Sequence, residues 1–173
     1  MKPFSNNIVF LDTEFSSLNP YKGEILSIGL VKMNGDELYL ELEYDGEVDE
    51  WPKENVIPTL IETKVSREEA VDKIQKFIGE DNSRIVAYIN NFDMPYLYKL
   101  FGLEKINKVF YWVPVDFASM LFVKGIDPES LVDWENKKDF FDSLEIDISK
   151  YKQHNALDDA KLLREVYLKV IGI

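Results

Sequence analysis

Residues 25–44 read ILSIGLVKMNGDELYLELEY. An apolar run (25–33) and an alternating segment (37–44) are joined by Asn34-Gly35. Asn and Gly tolerate the positive φ of tight hairpin turns, so Asn-Gly between two such segments predicts a β-hairpin. Upstream, IVFLD (8–12) is a short apolar run with β-branched members, which predicts a buried central strand. IVAYI (85–89) and VFYWVPV (109–115) read as two further strands. Between the hairpin and IVAYI, Ser66 and Glu69 form a capping box ahead of a helix whose apolar stripe is Ala70, Ile74, Phe77 and Ile78. A helix around Met94 to Phe101 ends at Gly102. DFASMLFVKG (116–125) predicts another, with Asp116 as N-cap, and the last runs from about Asn155 to Val170. Three strands followed by alternating helix and strand argue an α/β fold with a mixed sheet. An antiparallel hairpin lies at one side, parallel strands lie inside, and helices flank both.

No internal repeat, low-complexity stretch or linker divides the sequence, and 173 residues suit one domain, expected to span 1–173. The composition is globular, with 46% apolar and 13% aromatic residues. No apolar run approaches the roughly 18 residues of a membrane span, and MKPFSNNIVFLDTEF lacks a secretory h-region. The absence of cysteine excludes disulfides and thiolate zinc sites and points to the cytoplasm. Acidic residues outnumber basic ones by 32 to 20, a formal net charge of −12. That argues against a long basic track for duplex binding. A nucleic-acid substrate would have to be gripped locally, with metal ions offsetting the repulsion. Solubility alone also accounts for the acidity. Asp36 to Glu50 carries eight carboxylates and no Lys or Arg, and reads as a solvated edge strand and loop.

Three places could carry chemistry. In Asp12-Thr13-Glu14, strand alternation points Asp12 and Glu14 the same way and Thr13 opposite. Carboxylates about 6.6 Å apart along a strand can converge on metal ions held roughly 3.5–4 Å apart. They could equally be an acid/base pair or solvated strand-end residues. Asp93, in AYINNFDMPYL, follows a strand and precedes a helix with Pro95. A helix cap explains it as well as a metal ligand does. Yet ligands in α/β sheets bind beyond the carboxyl ends of strands, where both Asp93 and Asp12 stand. The third place is HNALDDA (154–160), which holds the only histidine. At roughly 100° per residue, Ala156, Ala160, Leu163, Tyr167 and Val170 share one face of the last helix, and Asp159 falls beside Val166 and Val170. Asp158 falls opposite, between Glu165 and Lys169. A carboxylate on the packed face needs compensation, which a cation would supply. His154 alone reads as a surface or capping residue. Beside a buried aspartate it can serve as the group that takes a proton near neutral pH.

The order DTE (12–14), FD (92–93) and H-x-A-x-x-D (154–159) resembles the DEDDh branch of the DnaQ-like 3′→5′ exonucleases, with their ribonuclease H-like fold. More narrowly, LDTEF, ILSIGLV with its NG hairpin, Trp51…Asn55-Val56-Ile57-Pro58, AYINNFD and HNALDDA resemble the small bacterial exoribonucleases related to the mycobacterial poly(A)-specific enzyme. The resemblance implies that Asp12, Glu14, Asp93 and Asp159 bind two Mg²⁺ or Mn²⁺ ions. It makes His154 the general base for water attacking the terminal phosphodiester. It implies hydrolysis of single-stranded RNA or 3′ overhangs to nucleoside 5′-monophosphates. Backbone groups around Phe15 and Ser16 would receive the 3′-terminal nucleotide, with Phe15 or Leu18 packing on its base or serving as core. A homodimer is a further expectation from the resemblance alone. Proofreading members often have Thr-Thr-Gly after the glutamate and Asn four residues before the second-motif aspartate. Here Phe15-Ser16-Ser17 and Ile89 stand in those places, which favours the exoribonuclease group. The alternatives are a 3′→5′ DNA exonuclease of the same superfamily and a non-catalytic nucleic-acid-binding module.

Overall fold

The Asn34-Gly35 turn forms with Gly35 at φ 96°, the left-handed conformation that glycine enters without a Cβ penalty. Lys32 N–H donates to Asp36 O at 2.8 Å and closes the turn. This computed structural model describes residues 3–172. Met1, Lys2 and Ile173, the ends of the expected 1–173 domain, lie outside the described residues. The hairpin strands are β2 (Ile25–Lys32) and β3 (Glu37–Glu41), beside β1 (Ile8–Phe15), β4 (Arg84–Ala87) and β5 (Val115–Asp116). The sheet order is β3-β2-β1-β4-β5. β1–β2 and β2–β3 are antiparallel, whereas β1–β4 and β4–β5 are parallel. The helices are α1 (Glu50–Asn55), α2 (Arg67–Ile78), α3 (Asn90–Phe101), α4 (Leu103–Val109), α5 (Phe117–Val123), α6 (Lys138–Ser143) and α7 (Ala156–Ile171). A 3-10 turn spans Ile57–Thr59. Among the described residues no helix is long and apolar enough to cross a membrane. The mixed sheet flanked by helices is the expected architecture.

Alternation along β1 divides the core in two. Val9, Leu11 and Phe15 share one cluster with Ala70 and Ile74 of α2 and Tyr96 and Leu97 of α3. Ile8 and Phe10 share the other with Phe117 of α5 and Leu163, Val166 and Tyr167 of α7. Val9, Phe10 and Leu11 are fully buried. Each such side chain contributes roughly 1.5–3 kcal/mol over its exposed state. The capping expectations hold at Ser66 and Asp116, whose side chains accept from Glu69 and Ser119 N–H. Asn155, expected as the start of the last helix, proves to be its N-cap and accepts from Asp158 N–H. Glu69 itself pairs with Lys73 instead of completing the box.

Two expectations are corrected. The strand over 109–115 is mostly absent: Val109 ends α4, Phe110 makes one bridge to Ser83, and only Val115–Asp116 pairs with β4. Pro114 has no N–H for the ladder, and Trp112 is 68% exposed. The acidic edge is not uniformly solvated either. Glu41 is buried, and its Oε1 accepts Ile61 and Glu62 N–H at 2.7 and 3.0 Å. Those two donors fasten the chain beyond the 3-10 turn to the edge strand.

Candidate active site

Asp12 and Glu14 leave β1 on the face covered by α7, and Thr13 leaves on the other. Because β1 and β4 run parallel in register from Ile8↔Arg84 to Leu11↔Ala87, their carboxyl ends lie side by side. α3 starts three residues after β4, so its first turn stands over that end of the sheet. Asp93 lies within this turn, with Ile89 at the N-cap, which removes capping as its explanation. It is buried, and Thr13 Oγ1 donates to Asp93 Oδ1 at 2.6 Å from the opposite face of β1.

Asp159 arrives on α7. The close approach is made at Gly29, which pairs with Asp12 across β1–β2. A Cβ on Gly29 would stand 2.1 Å from Ala156 O and 2.5 Å from Leu157 Cα, so only glycine lets the start of α7 rest on the strand. Oxygens of Asp12, Glu14 and Asp159 consequently lie within 4.8 Å of one another. Asp93 is outside this trio, but its charge acts on both Asp12 and Glu14. Asp158 points away and accepts the Lys152 N–H at 3.0 Å. His154 precedes α7 with φ 63°. Its backbone N–H hydrogen-bonds the Asp159 carboxylate. Its Nδ1 is 4.0 Å from Glu14 Oε1, and its ring meets Trp51 edge-on at 4.9 Å.

Burial is the leading cause of every pKa shift in the cluster. It lifts Asp12 well above the carboxylate range, with Asp159, Asp93 and Glu14 adding repulsion. Asp159 is raised likewise by burial and by Glu14, against the opposing His154 N–H. Glu14 is pushed up to about 8 by burial and Asp93. Asp93 is raised to about 7 by burial, with the Thr13 hydroxyl working against it. Burial lowers the His154 pKa, which keeps the imidazole neutral and able to accept a proton. Carboxylates so placed ionise together only if cations join them. The donors are all oxygens, which suits hard divalent ions such as Mg²⁺ or Mn²⁺.

The site opens into a cavity of ≈ 380 Å³ whose described lining holds Asp12, Glu14, Asp49, Asp93 and Asp159 but no Lys or Arg. Phe15 reaches the cavity and stacks on Tyr96 at 4.0 Å, while Leu18, 67% exposed, stands at its mouth. Ser16 does not line it. Its side chain is fully buried, its N–H donates to Glu24 O, and its carbonyl accepts Asp49 N–H. Ser17 takes that place on the wall. The wall also holds Leu131, Val132 and Trp134, to which no sequence pattern pointed, and Trp51, which the resemblance singled out without a role in the site. Strand alternation set Thr13 apart from its neighbours but not its bond to Asp93. Gly29 carried the one readable signal, a glycine inside a strand.

Four acidic residues thus gather at the strand ends and helix starts of an α/β sheet with a histidine beside them, and the oxygens of Asp12, Glu14 and Asp159 are close enough to hold a metal ion. Residues 9–167 match the exonuclease family RNase_T, and the chain belongs to that family, within the DnaQ-like superfamily. It is 27% identical over 173 residues to the PolC-type DNA polymerase III of Thermotoga maritima, and equally to that of Thermotoga petrophila. Each alignment covers 94% of this chain, which spans only 12% of those polymerases. Among solved structures it is similar to E. coli exonuclease I in complex with a dT13 oligonucleotide. The TM-score is 0.64 at 14% identity, over 95% of this chain and 40% of that one. That likeness carries the ribonuclease H-like fold.

Proposed function

We propose that the protein is a cytoplasmic, metal-dependent 3′→5′ exoribonuclease that shortens single-stranded RNA or 3′ overhangs and releases nucleoside 5′-monophosphates. The observation that carries this reading is the convergence of Asp12, Glu14 and Asp159 within 4.8 Å, with Asp93 buried beside them and His154 Nδ1 4.0 Å from Glu14. Asp12, Glu14, Asp159 and Asp93 would hold two divalent ions, Mg²⁺ or Mn²⁺. When bound, such ions neutralise the phosphate and stabilise both the attacking and the leaving oxygen. The chain itself provides no Lys or Arg in the described cavity lining to do so. His154 takes the proton of the attacking water at its unprotonated ring nitrogen, and burial, by lowering its pKa, keeps the imidazole neutral for that role. Phe15, Ser17 and Leu18 form the wall against which the 3′-terminal nucleotide lies, with Phe15 held by Tyr96.

RNA is favoured by Phe15-Ser16-Ser17 and Ile89 standing where proofreading enzymes differ. A cavity without cationic side chains also suits one chain end better than a long duplex track. A second reading, 3′→5′ cleavage of DNA, is favoured by the likeness to a DNA polymerase and to an exonuclease solved with dT13. End-labelled RNA and DNA oligonucleotides of equal sequence, incubated with the protein and Mn²⁺, separate the two. A ladder shortening from the 3′ end of RNA alone is expected, and preference for DNA moves the assignment to the second reading. No degradation with any divalent ion would leave a nucleic-acid-binding module.

A further inference from the structure

Thr59 precedes His154 by 95 residues, yet its hydroxyl lies 2.9 Å from the His154 carbonyl oxygen. The same hydroxyl is 2.9 Å from Val56 O, which also accepts the Thr59 N–H at 2.8 Å. The single hydroxyl proton is therefore shared between the Val56 and His154 carbonyls and ties the His154 turn to the 3-10 turn. Thr59 is itself held firmly. It is buried at the end of the 3-10 turn, and the next residues are fastened to the Glu41 carboxylate. At the other end of the segment, Asp49 N–H donates to Ser16 O at 2.8 Å. Between these anchors Trp51 meets the His154 ring at an interplanar angle of 85°. His154 needs such support, because φ 63° is a conformation that residues with a Cβ adopt reluctantly.

We propose that residues 51–59 form a clamp that positions His154, Thr59 fixing its backbone turn and Trp51 its ring. This rests on the reading of His154 as the proton acceptor. Thr59 is a positioning residue, acting through the histidine carbonyl.

His154 is the only histidine, so protein carrying ¹³C-labelled histidine gives one set of ring signals, displaced by the Trp51 ring current. In Thr59→Val these signals should move towards those of Trp51→Leu, and in Thr59→Ser they should stay at the wild-type position. With RNA and Mn²⁺, Thr59→Val should lose about tenfold or more in kcat with KM within about twofold, the pattern of a misplaced catalytic group. Thr59→Ser, which keeps the hydroxyl, should recover most of that loss. Wild-type ring signals in Thr59→Val, or moved signals with unchanged kcat, overturn the clamp. Should Thr59→Val not fold, Trp51→Leu decides, since Trp51 is 53% exposed: unmoved ring signals or unchanged kcat there also overturn it. If the wild-type protein cleaves nothing, the ring signals of the free protein still test the clamp, and only the functional reading fails.

Discussion

Asp158 and Asp159 are adjacent, the same residue type, and opposite in environment. Asp159 faces Asp12 and Glu14, whereas Asp158 binds the Lys152 N–H and lies 3.9 Å from Lys161. Asp159→Asn should therefore abolish cleavage, and Asp158→Asn should leave most of it. Equal losses from the two would sink the distinction. His154→Ala should lower turnover by roughly 10² or more, the usual range for a lost general base, while Mn²⁺ binding measured by calorimetry persists. A collapse of Mn²⁺ affinity would instead make His154 a ligand. The identity of the acidic partners was readable in the sequence because two-residue and 3.6-residue periodicities fix which side of its own element a side chain faces. Whether Asp93 joined them as ligand or as cap was not readable, since a cap and a ligand look alike beside a strand end.

At the scale of elements, the site depends on how closely α7 settles on β2. Gly29→Ala places a methyl group into the Ala156 carbonyl, so the helix must move. The expected cost is on the order of 3 kcal/mol in denaturant melts. Weaker Mn²⁺ binding should accompany it as Asp159 is drawn from Asp12, and an unchanged midpoint with unchanged affinity would contradict the packing argument. Asn155→Ala removes the side chain that caps α7 and should cost about 1 kcal/mol, without a comparable loss of affinity. The hairpin, the central strand and the capped helices were legible because local chemistry specifies them. The 109–115 segment was misread because its apolar content suits a strand while Pro114 and the helix ending at Val109 prevent one.

For the molecule as a whole, the buried carboxylates couple folding to pH and to metal. Glu14 ionises at about 8 in the folded protein against an ordinary value of 4.5. Between those values the folded state retains a proton that the unfolded state has released, so stability falls as pH rises through that window. Asp93, raised to about 7, acts in the same direction. Metal-free protein should thus lose Tm from pH 5 to pH 8 on account of these groups. Mn²⁺ competes with those protons, so it should raise Tm more at pH 8 than at pH 6. A metal-induced shift that is larger at pH 6 would contradict the cluster's placement.

The sequence by itself determined the mixed α/β plan, the common side of Asp12 and Glu14, and the inward side of Asp159. Each follows from a periodicity or a turn preference acting within a few residues. Only the tertiary structure decided that Thr13 holds Asp93, that Gly29 admits α7, and that Ser17 faces the cavity where Ser16 does not. It alone brought Thr59 and Trp51 to His154. Contacts of this kind depend on how elements distant in sequence pack against one another, and no local pattern encodes those distances.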